Sequence, residues 1–131
     1  MNDIEKADII AYKMEPANKA LVEVEVLINN DMLHSAVNRL YYACFYAVSA
    51  LLINSGIEAR KHSGVKQMFG LHFVIQGIIS KDTGKFYTEV FGKRQKGDYE
   101  DLVSFEKEEV EMLLVPARQL INEIEEVLSK K

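Results

Sequence analysis

Arg94 and Asp98 stand four residues apart in the run Arg94-Gln95-Lys96-Gly97-Asp98-Tyr99, the part of this 131-residue chain where polar side chains could first converge on a site. On a helix, that spacing puts guanidinium and carboxylate on one face, where they can pair. An exposed pair of this kind contributes about 0.3–0.5 kcal/mol. Tyr99 follows Arg94 by five residues, about 140° further round an ideal helix. The two therefore converge only if the helix ends between them, and Gly97 offers a place for that. The plainer reading is a helix C-terminus, with basic side chains at the negative end of the helix dipole and one ion pair.

His62 is the second candidate. Just before Ser63-Gly64 at a helix start, it reads as a cap or an interhelical hydrogen-bond partner. His72 sits on an apolar face and reads as a core or edge residue, and His34, near the turn at Asp31, as exposed. With no HxxxH or HExxH spacing, the three histidines give no metal signature. Tyr41, Tyr42 and Tyr46 lie on different faces of one apolar stretch, and one or two of them can line a cleft with Asn38 and Arg39. Neither a phosphate-cradling glycine loop nor a Ser-His-Asp order is present, and the single cysteine, Cys44, lies among apolar residues as a buried hydrophobe.

The elements that must position these residues are helical. Hydrophobic residues make up 48 % of the chain and charged residues 27 %, with only 2 Pro and 7 Gly, which permits long helices in one domain spanning residues 1–131. No segment alternates like a strand. Val37, Tyr41, Cys44, Val48 and Leu51 recur at helical spacing, and a second apolar row lies beside them, marking the central helix of a bundle. It is expected to close at Ser55-Gly56, with Asp31 as the cap at its start. Before it, a short helix or turn precedes a helix that opens with Pro16 in its first turn and turns Ala17, Leu21, Val24 and Ile28 inward. After it, Ser63 is expected to cap a third helix, and a shorter fourth starts near Lys85 with Phe86, Val90 and Phe91 inward. The last helix starts near Ser104 and is expected to kink at Pro116. Its seven glutamates between Glu106 and Glu126 read as a solvated face. The net charge of −4 argues against broad attraction to nucleic acid, though a local basic patch remains compatible. The N-terminus is acidic where a signal peptide would be basic, and no apolar run approaches membrane-spanning length, so a cytoplasmic protein is expected.

Four stretches taken together resemble the HEPN superfamily, and most closely its small stand-alone prokaryotic branch. They are Ala36-Val37-Asn38-Arg39-Leu40-Tyr41-Tyr42-Ala43-Cys44-Phe45-Tyr46-Ala47, then Lys61-His62-Ser63-Gly64-Val65, then Phe69 through Gly77, then Arg94 through Tyr99. The resemblance implies an all-α, up-and-down bundle of four main helices plus a short additional one, commonly homodimeric, with the arginine motifs of two subunits facing across a composite cleft. It further implies a toxin-like protein encoded beside a minimal nucleotidyltransferase, with no cofactor and metal-independent cleavage of RNA. By the same resemblance Arg94 is the phosphate-stabilising arginine, with Asp98 and Tyr99 beside it as candidate catalytic residues. Asn38, Arg39, Tyr42, His62, Lys93 and Lys96 are candidate ligand-binding residues.

One departure stands out. The family motif places a histidine after four to six residues intervening between it and the arginine, for proton transfer at the ribose, and no histidine follows His72 here. Tyr99 stands where the shortest motif would put it, and a phenol of ordinary pKa near 10 is a poor base at neutral pH. In some toxin members a tyrosine just beyond that histidine accepts adenylate, which makes Tyr99 a candidate acceptor. Two functions therefore compete. One is an RNA- or nucleotide-binding toxin-like module, with or without cleavage; the other is a non-catalytic bundle that docks a nucleotidyltransferase. A third reading reduces Arg94 and Asp98 to a tie at a helix end.

Overall fold

The computed structural model describes residues 2–99 and 104–130, and of residues 96–99 the backbone alone. The helices are α1 (Asp3–Asn29), α2 (Leu33–Asn54), α3 (His62–Phe69) with a π-helical extension over Gly70–Val74, α4 (Lys81–Tyr99), α5 (Lys107–Glu111) and α6 (Leu114–Ser129). No strand occurs among the described residues. The four long helices, α1, α2, α4 and α6, form the all-α bundle, and α3 and α5 are the short pieces.

Every other α-helix packs on α2. Twelve of its 22 residues are buried, including the whole predicted stripe from Val37 to Leu51. Small side chains at Ala43, Ala47 and Ala50, all fully buried, let neighbours approach from several sides. Contrary to expectation, α2 is long and apolar enough to cross a membrane by length and composition, with a mean hydropathy of 1.3. Here 67 % of that stretch is buried against the other helices, so its apolar surface is already covered by protein.

Proline acts differently from expectation at both of its positions. Pro16 lies inside α1, which runs unbroken from a capping box made by Asn2 and Glu5. The ring removes one intrahelical donor. Burial of Met14 and Ala17, with Ile10 packed on the core, carries the helix across it. Pro116 does not kink a long helix. The chain breaks at Met112–Leu113, and Pro116 falls in the first turn of α6, where its missing N–H would have had no intrahelical partner.

The predicted caps also move. Asp31 takes a left-handed φ of 56° in the α1–α2 turn, and Met32 stands at the N-cap of α2 without a side-chain bond. Lys61, rather than Ser63, precedes α3. Gly56, at φ 71°, provides the left-handed residue expected after α2. His72, on the π extension, is exposed rather than part of the core.

The fourth helix begins four residues before Lys85 and continues through Gly97, so Gly97 does not end it. Its start is held from α6. The Glu123 carboxylate accepts from the Ser80 amide at 2.9 Å, from the Ser80 hydroxyl at 3.2 Å and from the Thr83 hydroxyl. Glu123 is thus a ligand of the α4 N-terminus, not a member of a purely solvated acidic face. Gly84 lets the same turn approach the π extension, because a Cβ there would lie 2.7 Å from Val74 Cγ1.

Candidate functional site

Three elements meet at the polar end of the bundle. The first half of α2 carries Tyr41, Tyr42 and Phe45 on its α3- and α4-facing side. The start of α3 supplies His62, and the last third of α4 supplies Arg94. The Arg94 guanidinium lies over two rings, its Cζ 5.5 Å from the Tyr41 centroid and 5.4 Å from that of Tyr42. Its Nη2 donates to the Tyr42 hydroxyl at 3.1 Å. The two ring planes stand 73° apart, so cation–π contact with both rings and the hydrogen bond, not flat stacking, hold the guanidinium, an arrangement a lysine could not reproduce.

His62 closes the other side. Its Nδ1 is 2.8 Å from the hydroxyl of buried Tyr41. Its ring stacks on Phe45 at 4.3 Å and meets Tyr42 edge-on at 5.8 Å. The Tyr41 contact is the hydrogen bond His62 makes among the described residues, which leaves Nε2 for a ligand or water. Burial, and then the positive charge of Arg94, hold the imidazole below its ordinary pKa, so it is neutral at pH 7. Burial pushes the Tyr41 phenol up to about 12, so it remains protonated. Behind it, Tyr87 is fully buried, its ring 6.1 Å from that of Tyr41, and its hydroxyl has no well-formed hydrogen bond among the described residues.

A protein-family model described as the HEPN domain matches residues 11–127. The chain belongs to the HEPN family. A "UPF0332 protein" of Thermotoga maritima is 44 % identical over 124 residues, 95 % of this chain and 94 % of that protein. The "Putative toxin MJ0142" of Methanocaldococcus jannaschii is 35 % identical over 118 residues, 90 % of this chain and 80 % of that one. A second protein of that organism, "Putative toxin MJ0605", is 34 % identical over 117 residues, covering 89 % and 87 %.

In this HEPN domain the sequence candidates divide into groups. Arg94, Tyr42 and His62 come together as described. Asn38 lies one turn before Tyr42 on α2 and is half-buried. Arg39 turns to α1, where it pairs with Glu23 at 3.2 Å. Lys93 pairs with Glu109 of α5 at 3.1 Å. Such half-exposed pairs contribute about 0–1 kcal/mol each, and both hold their cations towards neighbouring helices. The side chains of Lys96, Asp98 and Tyr99 lie outside the described residues.

Two contacts of this cluster are not evident from the sequence. Phe45 stacks on His62, and Tyr41 is the residue that orients that histidine. Their i, i+4 spacing on α2 is a signal that they share a face. The partner of that face comes from α3, and nothing local in sequence announces it.

Proposed function

We propose that this chain, as a single HEPN domain, binds RNA or nucleotide phosphate at Arg94, in a cleft completed by a second copy of itself. On this reading it is the toxin-like half of a cytoplasmic pair with a minimal nucleotidyltransferase. The observation that carries the proposal is the guanidinium of Arg94 held over the rings of Tyr41 and Tyr42, with neutral His62 beside it. A planar donor fork oriented by aromatic rings suits a phosphodiester oxygen and the charge that builds on it. The names of the M. jannaschii relatives support the toxin-like reading.

No histidine follows Arg94 in sequence, but His62 stands close enough in space for the two to interact electrostatically. In cleavage, a ribose 2′-oxygen would bond to phosphorus as the bond from phosphorus to the 5′-oxygen breaks. In the tautomer whose Nδ1–H donates to the Tyr41 hydroxyl oxygen, Nε2 of His62 would accept the 2′-proton, and the leaving oxygen would take a proton from water. The products would be a 2′,3′-cyclic phosphate and a 5′-hydroxyl.

The test is incubation of the protein with total RNA and transfer RNA in EDTA, beside Arg94→Ala and His62→Asn. Cleavage by the wild type alone supports a metal-independent RNase using both residues. Binding without cleavage, abolished in Arg94→Ala, supports the phosphate site without the chemistry. Equal RNA affinity in wild type and Arg94→Ala rejects the reading.

A second reading is a non-catalytic module that docks the nucleotidyltransferase. The observation in its favour is the apolar surface of the π extension and the turn after it, where Leu71, Ile75 and Ile78 are 47 %, 73 % and 51 % exposed.

A further inference from the structure

A cavity of about 420 Å³ is lined by Phe45, the ring that stacks on His62, while Arg94, Tyr42 and His62 do not line it. Phe45, Ser49 and Leu52 of α2 form one wall, Ile57 of the α2–α3 link forms another, and Lys13 and Arg60 stand at the rim. Its volume is within the range of small-molecule sites, and its walls are mainly apolar with a few polar groups at the edge. Neither Lys13 nor Arg60 has an ion pair among the described residues, in contrast to Arg39 and Lys93.

Position makes the cavity informative. Phe45 belongs both to it and to the His62 stack, and Tyr42 stands 6.1 Å from Phe45, ring to ring. Arg94, Tyr42, His62, Phe45 and the cavity therefore form one continuous track. From Tyr42 to Ser49 the α2 axis advances about 10 Å, a distance that neighbouring nucleotides of one strand can span. Single-stranded RNA is held by aromatic faces for its bases and by cations for its phosphates, and the track offers both in alternation.

We propose that this cavity is a second nucleotide subsite, in which the base beside the phosphate on Arg94 packs against Phe45 and Leu52 and the next phosphate meets Lys13 and Arg60. The proposal rests on the Arg94 reading above. Glu58 at the mouth can only accept hydrogen bonds. It favours a base with an exocyclic amino group over uracil, whose single ring N–H on that edge is flanked by two carbonyl oxygens that the carboxylate repels.

The experiment is fluorescence anisotropy of labelled hexa-adenylate and hexa-uridylate RNA with the full chain in EDTA. Lys13→Glu/Arg60→Glu should weaken hexa-adenylate binding about ten-fold and flatten the log–log salt dependence by about 1.4, as for two lost phosphate contacts. Lys19→Glu/Lys81→Glu, an equal charge change at exposed positions off the track, should stay within about two-fold. Glu58→Gln should narrow the preference for adenylate over uridylate. Equal effects of the two double variants overturn the subsite. If Arg94→Ala loses binding while Lys13→Glu/Arg60→Glu does not, the Arg94 reading stands and the subsite falls. The converse removes the Arg94 reading and leaves the cavity as a site of its own. A wild type that binds neither RNA overturns both.

Discussion

The hydroxyl of Tyr41 and Nδ1 of His62 lie 2.8 Å apart, joining the most buried tyrosine of the central helix to the first residue of α3. This contact orients the imidazole, and it ties the start of α3 to the core. Its energetics depend on pH. The folded pKa of His62 lies below the ordinary value of 6.5, so between the two values the unfolded chain binds more protons than the folded one. Stability is therefore complete above about pH 6.5 and declines as pH falls towards the folded pKa. His62→Asn retains an amide that can donate to or accept from the Tyr41 hydroxyl, and it does not titrate. Between pH 7.5 and 5.5, its Tm should fall less than that of the wild type. Equal falls would show that the histidine plays no part in acid sensitivity.

Arg94→Lys keeps the charge but loses the planar fork that lies over the Tyr41 and Tyr42 rings and bonds to the Tyr42 hydroxyl. RNA affinity should drop nearly as far as in Arg94→Ala, by about ten-fold or more. Recovery of wild-type affinity in the lysine variant would mean that charge alone is used.

Gly84→Ala places a methyl group against the branched side chain of Val74. Overpacking of this kind costs about 1–3 kcal/mol, offset in part by the better helix propensity of alanine. Urea denaturation should show net destabilisation, and Val74→Ala in the same chain should make the second substitution less costly. Strict additivity of the two changes would indicate that they do not touch.

Glu123→Gln keeps the shape of the group that caps α4 and removes its charge. Loss of the charge-assisted bonds to Ser80 and Thr83 should lower stability by about 1–2 kcal/mol. In the wild type, burial raises the pKa of this carboxyl, but the bonds from Thr83 and Ser80 outweigh that and leave it below its usual value. Its contribution is thus present above about pH 4.5 and fades below it. A variant as stable as the wild type at pH 7, by chemical denaturation, would show that the Ser80 hydroxyl caps α4 unaided.

Pro16→Ala restores a donor in the middle of α1 and removes a steric conflict with the carbonyl four residues earlier. Tm should rise. An unchanged or lower Tm would mean that the proline is useful where it stands, through its stiffening of the unfolded chain.

The inward stripes are legible in the sequence, because helical periodicity records burial directly. Ala17, Leu21, Val24 and Ile28 on α1, and Val37, Tyr41, Cys44, Val48 and Leu51 on α2, are all buried. The proline positions mislead because local rules for Pro16 are outweighed by the packing of Met14 and Ala17. Glu123 reads as solvated because its partners, Ser80 and Thr83, lie about 40 residues away in sequence. The same limit hides the Tyr41–His62 contact, which spans 21 residues and depends on how α3 docks. Arg94 and His62 are both visible as candidates. Their convergence is not, since it requires α2 to present two tyrosines between them.

The π extension also bears on how the site is spaced. Val65, Phe69 and Phe73 face the core at intervals of four, although successive residues four apart on an α-helix drift about 40° round the axis. The wider turn, closed by a bond from Ile75 N to Gly70 O at 2.9 Å, takes up that drift with what amounts to one added residue. The bundle can therefore absorb a change of one residue between His62 and Arg94 by winding or unwinding this turn.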